Sequence, residues 1–401
     1  MNTGKSKFVI IPLLLFFIVS PLFAQNEVSA VWSRLYDRAS TLNQKQQILM
    51  NIVEQHSRDM IPVLQEALIE RIGDLRNPKS TTERELATEM AKMVVKELGR
   101  LKASETSRYV WEVVQSVEDP FLKGEAILAL GKMGAREYAE ELAMMLRNIN
   151  FNYDQIENQR NNEIIAYSLV LALVRMKHPA GYKPLFFAST GWYSGESRVK
   201  EEAEEALTVV VEDPTDQLSE IIVDESGFEI KTQALEAGLE SNAPESQKAA
   251  VASLAFKESI RNFPKNKTER MQAKELRIRS LTAIRNLPEK DQSALPFMEE
   301  MLLGYSKDRI YDEDEMLNLL NTLGSFSSDQ AARIVSDFLA YLTERREFRA
   351  TESLRIAKAA VIALGNIGSP VGIEELMIIT TTDFWDNSVI RLAEEALQKL
   401  Q

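Results

Sequence analysis

The residues with the types and spacing to do chemistry are few. Asp312-Glu313-Asp314-Glu315 is a run of four acids. A calcium loop needs acids at alternating positions that wrap an ion. Contiguous acids ahead of Met316-Leu317-x-Leu319-Leu320 instead complement the dipole of a helix that starts there. His56 and His178 are the only histidines, and there is no cysteine. That composition excludes disulfides, thiolate metal sites, thiol nucleophiles and metal centres built from several imidazoles. Neither histidine has a Gly-x-Ser-x-Gly elbow to serve. His56 ends a helix and His178 precedes Pro179 at a helix boundary, so both read as capping or surface residues. Two carboxylates ~5–10 Å apart could hydrolyse a glycoside, but nothing singles out one pair among 60 acids. No Gly-rich phosphate loop is present. The expectation is a chain that is not an enzyme and uses no cofactor or metal.

Aromatic residues offer binding instead. Trp192-Tyr193 leads into Ala203-Glu204-Glu205-Ala206-Leu207, and Phe384-Trp385 leads into Ala393-Glu394-Glu395-Ala396-Leu397. One gap aligns the two segments, which places each pair in an equivalent turn of a repeat, along the same edge of a regular array. Exposed pairs of this kind anchor a protein partner or a sugar ring. The alternative is that each tryptophan folds back and plugs the gap between repeats, as the usual burial of large aromatics favours. A third candidate is the amide-rich segment 148–162, with Phe151 and Tyr153 embedded. Insertions between repeats emerge on one face, often the binding face, although surface loops also tolerate them at little cost.

The elements that must position these residues are helices in pairs. Leu122, Ala126, Ala129, Leu130 and Met133 fall at i, i+4, i+7, i+8 and i+11, one helical face. Ala357, Ala360, Val361, Leu364 and Ile367 make a similar stripe, as do Val389, Ala393, Ala396, Leu397 and Leu400. A partner helix follows each Gly-rich stop, marked by Ala139, Leu142, Ala143 and Leu146, and by Ile373, Leu376, Met377 and Thr380. Ala129-Leu130-Gly131-Lys132-Met133-Gly134 returns as Ala363-Leu364-Gly365-Asn366-Ile367-Gly368. The first glycine of each copy lets a neighbouring backbone approach, and the second can take the left-handed conformation that stops a helix. With Leu98, Leu130, Leu173, Leu207, Leu254, Ile284, Leu323, Leu364 and Leu397 as marks, the spacings scatter around the length of two helices and two turns. These marks give about nine repeats. Hairpin turns and period-two runs are scarce, so the expected fold is all-α.

Asp119-Pro120-x-x-Lys123-x-x-Ala126-x-x-Ala129-Leu130-Gly131-x-x-Gly134 resembles the HEAT repeat, in particular the HEAT-like type of the phycobilisome lyases. Ser388-Val389-Ile390-Arg391-x-Ala393-x-x-Ala396-Leu397 resembles the start of another copy. The resemblance implies an α-solenoid whose concave face binds proteins. Its motif residues are structural, so it carries no active site and no lyase activity.

Lys5 and Lys7 precede a 12-residue apolar run, Phe8 to Val19, and a small residue, Ala24. That is the form of a secretory signal peptide, and the run is short for a membrane span, which needs about 20 residues. The expected organisation is a signal peptide over 1–24 and a repeat array over 25–401, exported to the periplasm or beyond and not inserted in the membrane. The net charge is −13. Loss of 1–24 leaves 45 basic and 60 acidic residues, a charge of −15 that repels nucleic acid and anionic lipid. These observations point to an exported scaffold that binds another protein of the bacterial cell envelope. The alternatives are a helical protein that binds or cleaves envelope glycan, and a structural spacer.

Overall fold

A computed structural model describes residues 20–152, 156–308, 310–348 and 353–400. Twenty α-helices and six single 3-10 turns occur among the described residues, and no strand. The chain divides into two compact units, Met1–Val211 and Glu212–Gln401.

The first unit holds α1 (Ser20–Arg38), α2 (Leu42–Glu54), α3 (Ile61–Arg76), α4 (Thr81–Arg100), α5 (Ser107–Ser116), α6 (Pro120–Met133), α7 (Ala139–Phe151), α8 (Ile156–Met176), α9 (Tyr182–Thr190) and α10 (Val199–Val210). Even-numbered helices pack on one another in order, α1, α3 and α5 do the same, as do α7 and α9, and each α3/α4-type neighbour pair closes the hairpin between the two layers. The second unit repeats the scheme. It comprises α11 (Thr215–Asp224), α12 (Phe228–Glu240), α13 (Glu245–Arg261), α14 (Lys267–Asn286), α15 (Leu295–Asp308), α16 (Glu313–Leu323), α17 (Asp329–Glu347), α18 (Leu354–Ile367), α19 (Ile373–Thr381) and α20 (Asn387–Leu400). Each unit is thus a stretch of α-solenoid built from helix pairs.

Local chemistry sets the helix ends. The Asp119 side chain accepts from the Leu122 N–H at 2.7 Å, and Pro120 fills the first helical position of α6, where no N–H is needed. Gly134 and Gly368 end α6 and α18 at φ +70° and +76°, in the left-handed region that a Cβ disfavours. The last two residues of the Leu122 stripe and of the Ala357 stripe, like the others in them, are buried.

The small residues hold adjacent even helices together. A Cβ on Gly99 of α4 would lie 2.8 Å from the Ala129 Cα of α6, and one on Gly131 of α6 would lie 2.7 Å from the Ala172 Cα of α8. In the second unit Gly324, the residue that caps the end of α16, meets Ala363 of α18 in the same way, and Gly365 of α18 meets Ala396 of α20. The glycine of one repeat therefore receives the alanine of the next.

Two sequence marks are corrected. Leu254 lies on α13, in the odd layer, whereas the other marks lie on even helices. The even helix of that interval is α12, whose Gly238 faces Val251 and Leu218 of the odd layer, so its small residue carries no even-layer register. Met377 of α19 is exposed, and Leu376 with Ile379 supplies that helix's buried face. The 1–24 segment falls largely outside the described residues.

Candidate binding surface

Two interruptions of the repeat rhythm meet in the first unit. The end of α7 and the turn after α9 lie against each other. Trp192 stacks on Tyr193 with ring centroids 4.4 Å apart, and its indole N–H donates to the Ile149 carbonyl at 3.2 Å. Tyr193 donates to the Asn150 Oδ1 at 2.6 Å, and the Asn150 amide donates to the Pro184 carbonyl at 2.8 Å. Phe151 meets Phe187 edge-on at 4.9 Å. The Ser194 N–H donates to Glu163 of α8 at 2.9 Å, which ties the other side of the turn to the even layer. Burial pushes the Tyr193 phenol far up from its ordinary value, and the Glu163 charge adds to the shift.

The turn after α19 in the second unit has the same construction. The Trp385 indole N–H donates to the Thr343 Oγ1 of α17 at 3.4 Å, and the Arg346 Nε donates to the Phe384 carbonyl at 3.1 Å. Tyr193 and Trp385 are the second members of their pairs, and both are buried, at 2% and 5% exposure. The first members reach the surface: Trp192 is half-buried and Phe384 is 40% exposed.

Of the two sequence readings, the plug holds for Trp385 but falls to Tyr193 in place of Trp192 in the other turn, and the exposed-pair reading is corrected for Tyr193 and Trp385, whose polar tips find partners beside the preceding odd helix. Trp192 and Phe384 keep an accessible ring face or edge. Phe151 is 54% exposed at the end of α7. Tyr153 lies outside the described residues. Sequence reasoning missed Asn150, Phe187, Glu163 and Thr343. A signal for two of them existed: Asn150 precedes Tyr193 by 43 residues and Thr343 precedes Trp385 by 42, one repeat in each case.

The charged groups are largely accounted for by the fold. Asp312 and Glu315 form a capping box at the start of α16. Lys274 pairs with Asp312, while Arg277 contacts Glu315 at 2.8 and 2.7 Å and the Ser259 carbonyl at 3.2 Å. The His178 Nδ1 accepts from the Ala180 N–H and opens a 3-10 turn, and His56 sits at φ 52° beyond α2, 3.3 Å from Glu97. Among the described residues no group of three or more His, Asp or Glu is placed to hold a metal ion. No described helix is long and apolar enough to cross a membrane. The acidity is unevenly spread: residues 1–211 contain 27 acidic and 25 basic residues, and 212–401 contain 33 and 22.

No family model and no curated protein matches the chain. Solved structures similar to it include an engineered protein, 13% identical over 92% of this chain and 98% of that one, with a TM-score of 0.33. Human deoxyhypusine hydroxylase in complex with glycerol is 15% identical over 95% and 98%, at 0.28. The UNC-45 chaperone, in a structure describing its molecular features critical for binding and folding muscle myosin, is 12% identical over 92% of this chain and 47% of its own, at 0.31. The helix pairs and their Gly–Ala contacts define the class of this protein as an all-α helical-repeat protein.

Proposed function

We propose that the protein is an exported, non-catalytic scaffold of the bacterial cell envelope, which binds another protein through the surface of its HEAT-like repeats. One observation carries the reading. In two equivalent turns the second aromatic is locked into the core, so the first is presented on a rigid base. An ordered aromatic loses little side-chain freedom on binding, which is what a docking anchor requires. Phe151, edge-on to Phe187, adds a second exposed ring at the end of α7 in the first unit. The charge of the second unit favours a partner of basic or balanced surface and disfavours nucleic acid. The basic start, apolar run and Ala24 support export and removal of residues 1–24.

The test uses the full chain expressed with its own N-terminus. Mass spectrometry of the exported protein should find a chain that begins at Gln25. Cross-linking in envelope extract should then yield one protein at a fixed ratio, lost in the Trp192→Ala/Phe384→Ala variant while helical content is unchanged. The same cross-linked product from that variant would take the anchor role away from the two rings, and no product from either chain would leave the spacer reading in its place.

A further inference from the structure

A cleft of about 720 Å³ lies within the first unit, between the first half of α8 and the turn that follows Tyr193. That volume is in the range of small-molecule sites. Gln159, Arg160, Glu163 and Tyr167 line it from α8, and Ser194 and Ser197 line it from the turn. The α9–α10 turn that lines it, and the 148–162 segment to which Gln159 and Arg160 belong, interrupt the first unit's repeat rhythm, and extra segments between repeats gather on binding faces.

The turn side of the cleft is fixed. Ser197 donates to the Ser194 carbonyl through both its hydroxyl, at 2.9 Å, and its N–H, at 3.2 Å. The Ser194 N–H is held by Glu163. A carboxylate has about four acceptor positions, so Glu163 retains capacity after accepting from Ser194. The Gln159 side-chain amide nitrogen is buried and has no hydrogen-bond partner. A buried donor left unsatisfied is destabilising, and an acceptor reaching it from the cleft would remove that cost.

These groups select a chemical class. Glu163 and Glu196 oppose a phosphate or a polyanion, and Arg160 offsets part of their pull on a cation. A neutral molecule fits the remaining groups when it offers hydroxyl donors to Glu163, an oxygen acceptor to Gln159 and a C–H face to the Tyr167 ring. A sugar ring has all three.

We propose that this cleft binds one or two rings of a neutral oligosaccharide, with Glu163 accepting from adjacent hydroxyls and the Gln159 amide donating to a hydroxyl or acetamido oxygen. The site is separate from the protein-binding reading and does not depend on it.

The experiment is calorimetric titration and saturation-transfer NMR of the full chain with two probes, cellobiose and N,N′-diacetylchitobiose. Binding of both makes the Gln159 acceptor a hydroxyl, and binding of the second alone makes it an acetamido oxygen. Glu163→Gln should weaken binding by about tenfold. Gln159→Leu should weaken it by about fivefold while the melting temperature holds or rises, because the change removes an unsatisfied buried donor. No saturation transfer to either sugar at ~10 mM, a concentration that reveals even very weak sites, overturns the proposal. So does affinity that neither substitution alters.

Discussion

The Tyr193 hydroxyl reaches the Asn150 side chain over 2.6 Å, and Trp385 stands to Thr343 as Tyr193 stands to Asn150. The relation spans one repeat in each unit and separates two roles that adjacent aromatic residues could have exchanged. Tyr193→Phe should cost about 1 kcal/mol, the net worth of one hydrogen bond. Trp385→Ala should cost about 3–5 kcal/mol as a large core deletion. Phe384→Ala should stay within about 0.5 kcal/mol, as for a surface change. Urea unfolding of the three variants checks the order, and a costlier Phe384→Ala than Trp385→Ala would reverse the assignment.

Glycines with a tight neighbour should respond differently from one without. Gly131→Ala puts a methyl 2.7 Å from the Ala172 backbone, which cannot swing aside. The cost should be about 1–3 kcal/mol, as for overpacked cores. Gly73→Ala, inside α3 with nothing within 4 Å, should stabilise by roughly 0.5–1 kcal/mol. Thermal melts of both variants provide the comparison, and equal signs would contradict it.

The Arg277–Glu315 pair is buried between α14 and α16. Glu315→Leu should cost about 3–5 kcal/mol, because the guanidinium is left without its partner. Arg277→Met together with Glu315→Leu should recover much of that loss. A double variant no better than the single one would mean that the Ser259 carbonyl and the Asp312 N–H are what the two charges serve.

Two carboxyl groups should give opposite pH dependences. Burial raises the Glu97 pKa, but hydrogen bonds from Arg100 and His56 outweigh it and hold the group below its ordinary value. Its stabilisation is present above the unfolded pKa and is lost as pH falls through the folded one. Glu375 is raised, first by burial and then by Glu374 and Asp337. Its contribution is full below the unfolded pKa and is lost as pH rises through the folded one. Melting at pH 7 should therefore show Glu97→Gln less stable than the parent. Glu375→Gln should be more stable, by roughly a few tenths of a kcal/mol after solvent screening. Both differences should fade in acid, and an unchanged gap at low pH would rule out titration as the cause.

Much of the architecture was readable from residue types because backbone proximity leaves few choices. Only glycine fits where Gly131 meets Ala172, and Gly134 holds a conformation that side chains avoid. Asp312 to Glu315 announced a helix start through the dipole, and the structure adds the capping box there and the Asp119 cap with Pro120 on α6. Leu254 misled because α12 keeps a glycine while turning it to the other layer. The candidate surface was half legible. The alignment of Trp192-Tyr193 with Phe384-Trp385 located the equivalent turns, but which ring enters the core depends on a partner one repeat earlier. The meeting of the end of α7 with the α9–α10 turn, with the cleft beside it, arises only when repeats stack, so no local pattern recorded it.

Ala129 and Gly131 share one helix, two positions apart, and so do Ala363 and Gly365. Each of these helices carries both the protrusion that its predecessor accepts and the recess that its successor fills. A tandem duplication of such a hairpin would arrive with matching surfaces at both ends, so the molecule could lengthen in a single genetic event without having to invent a new contact.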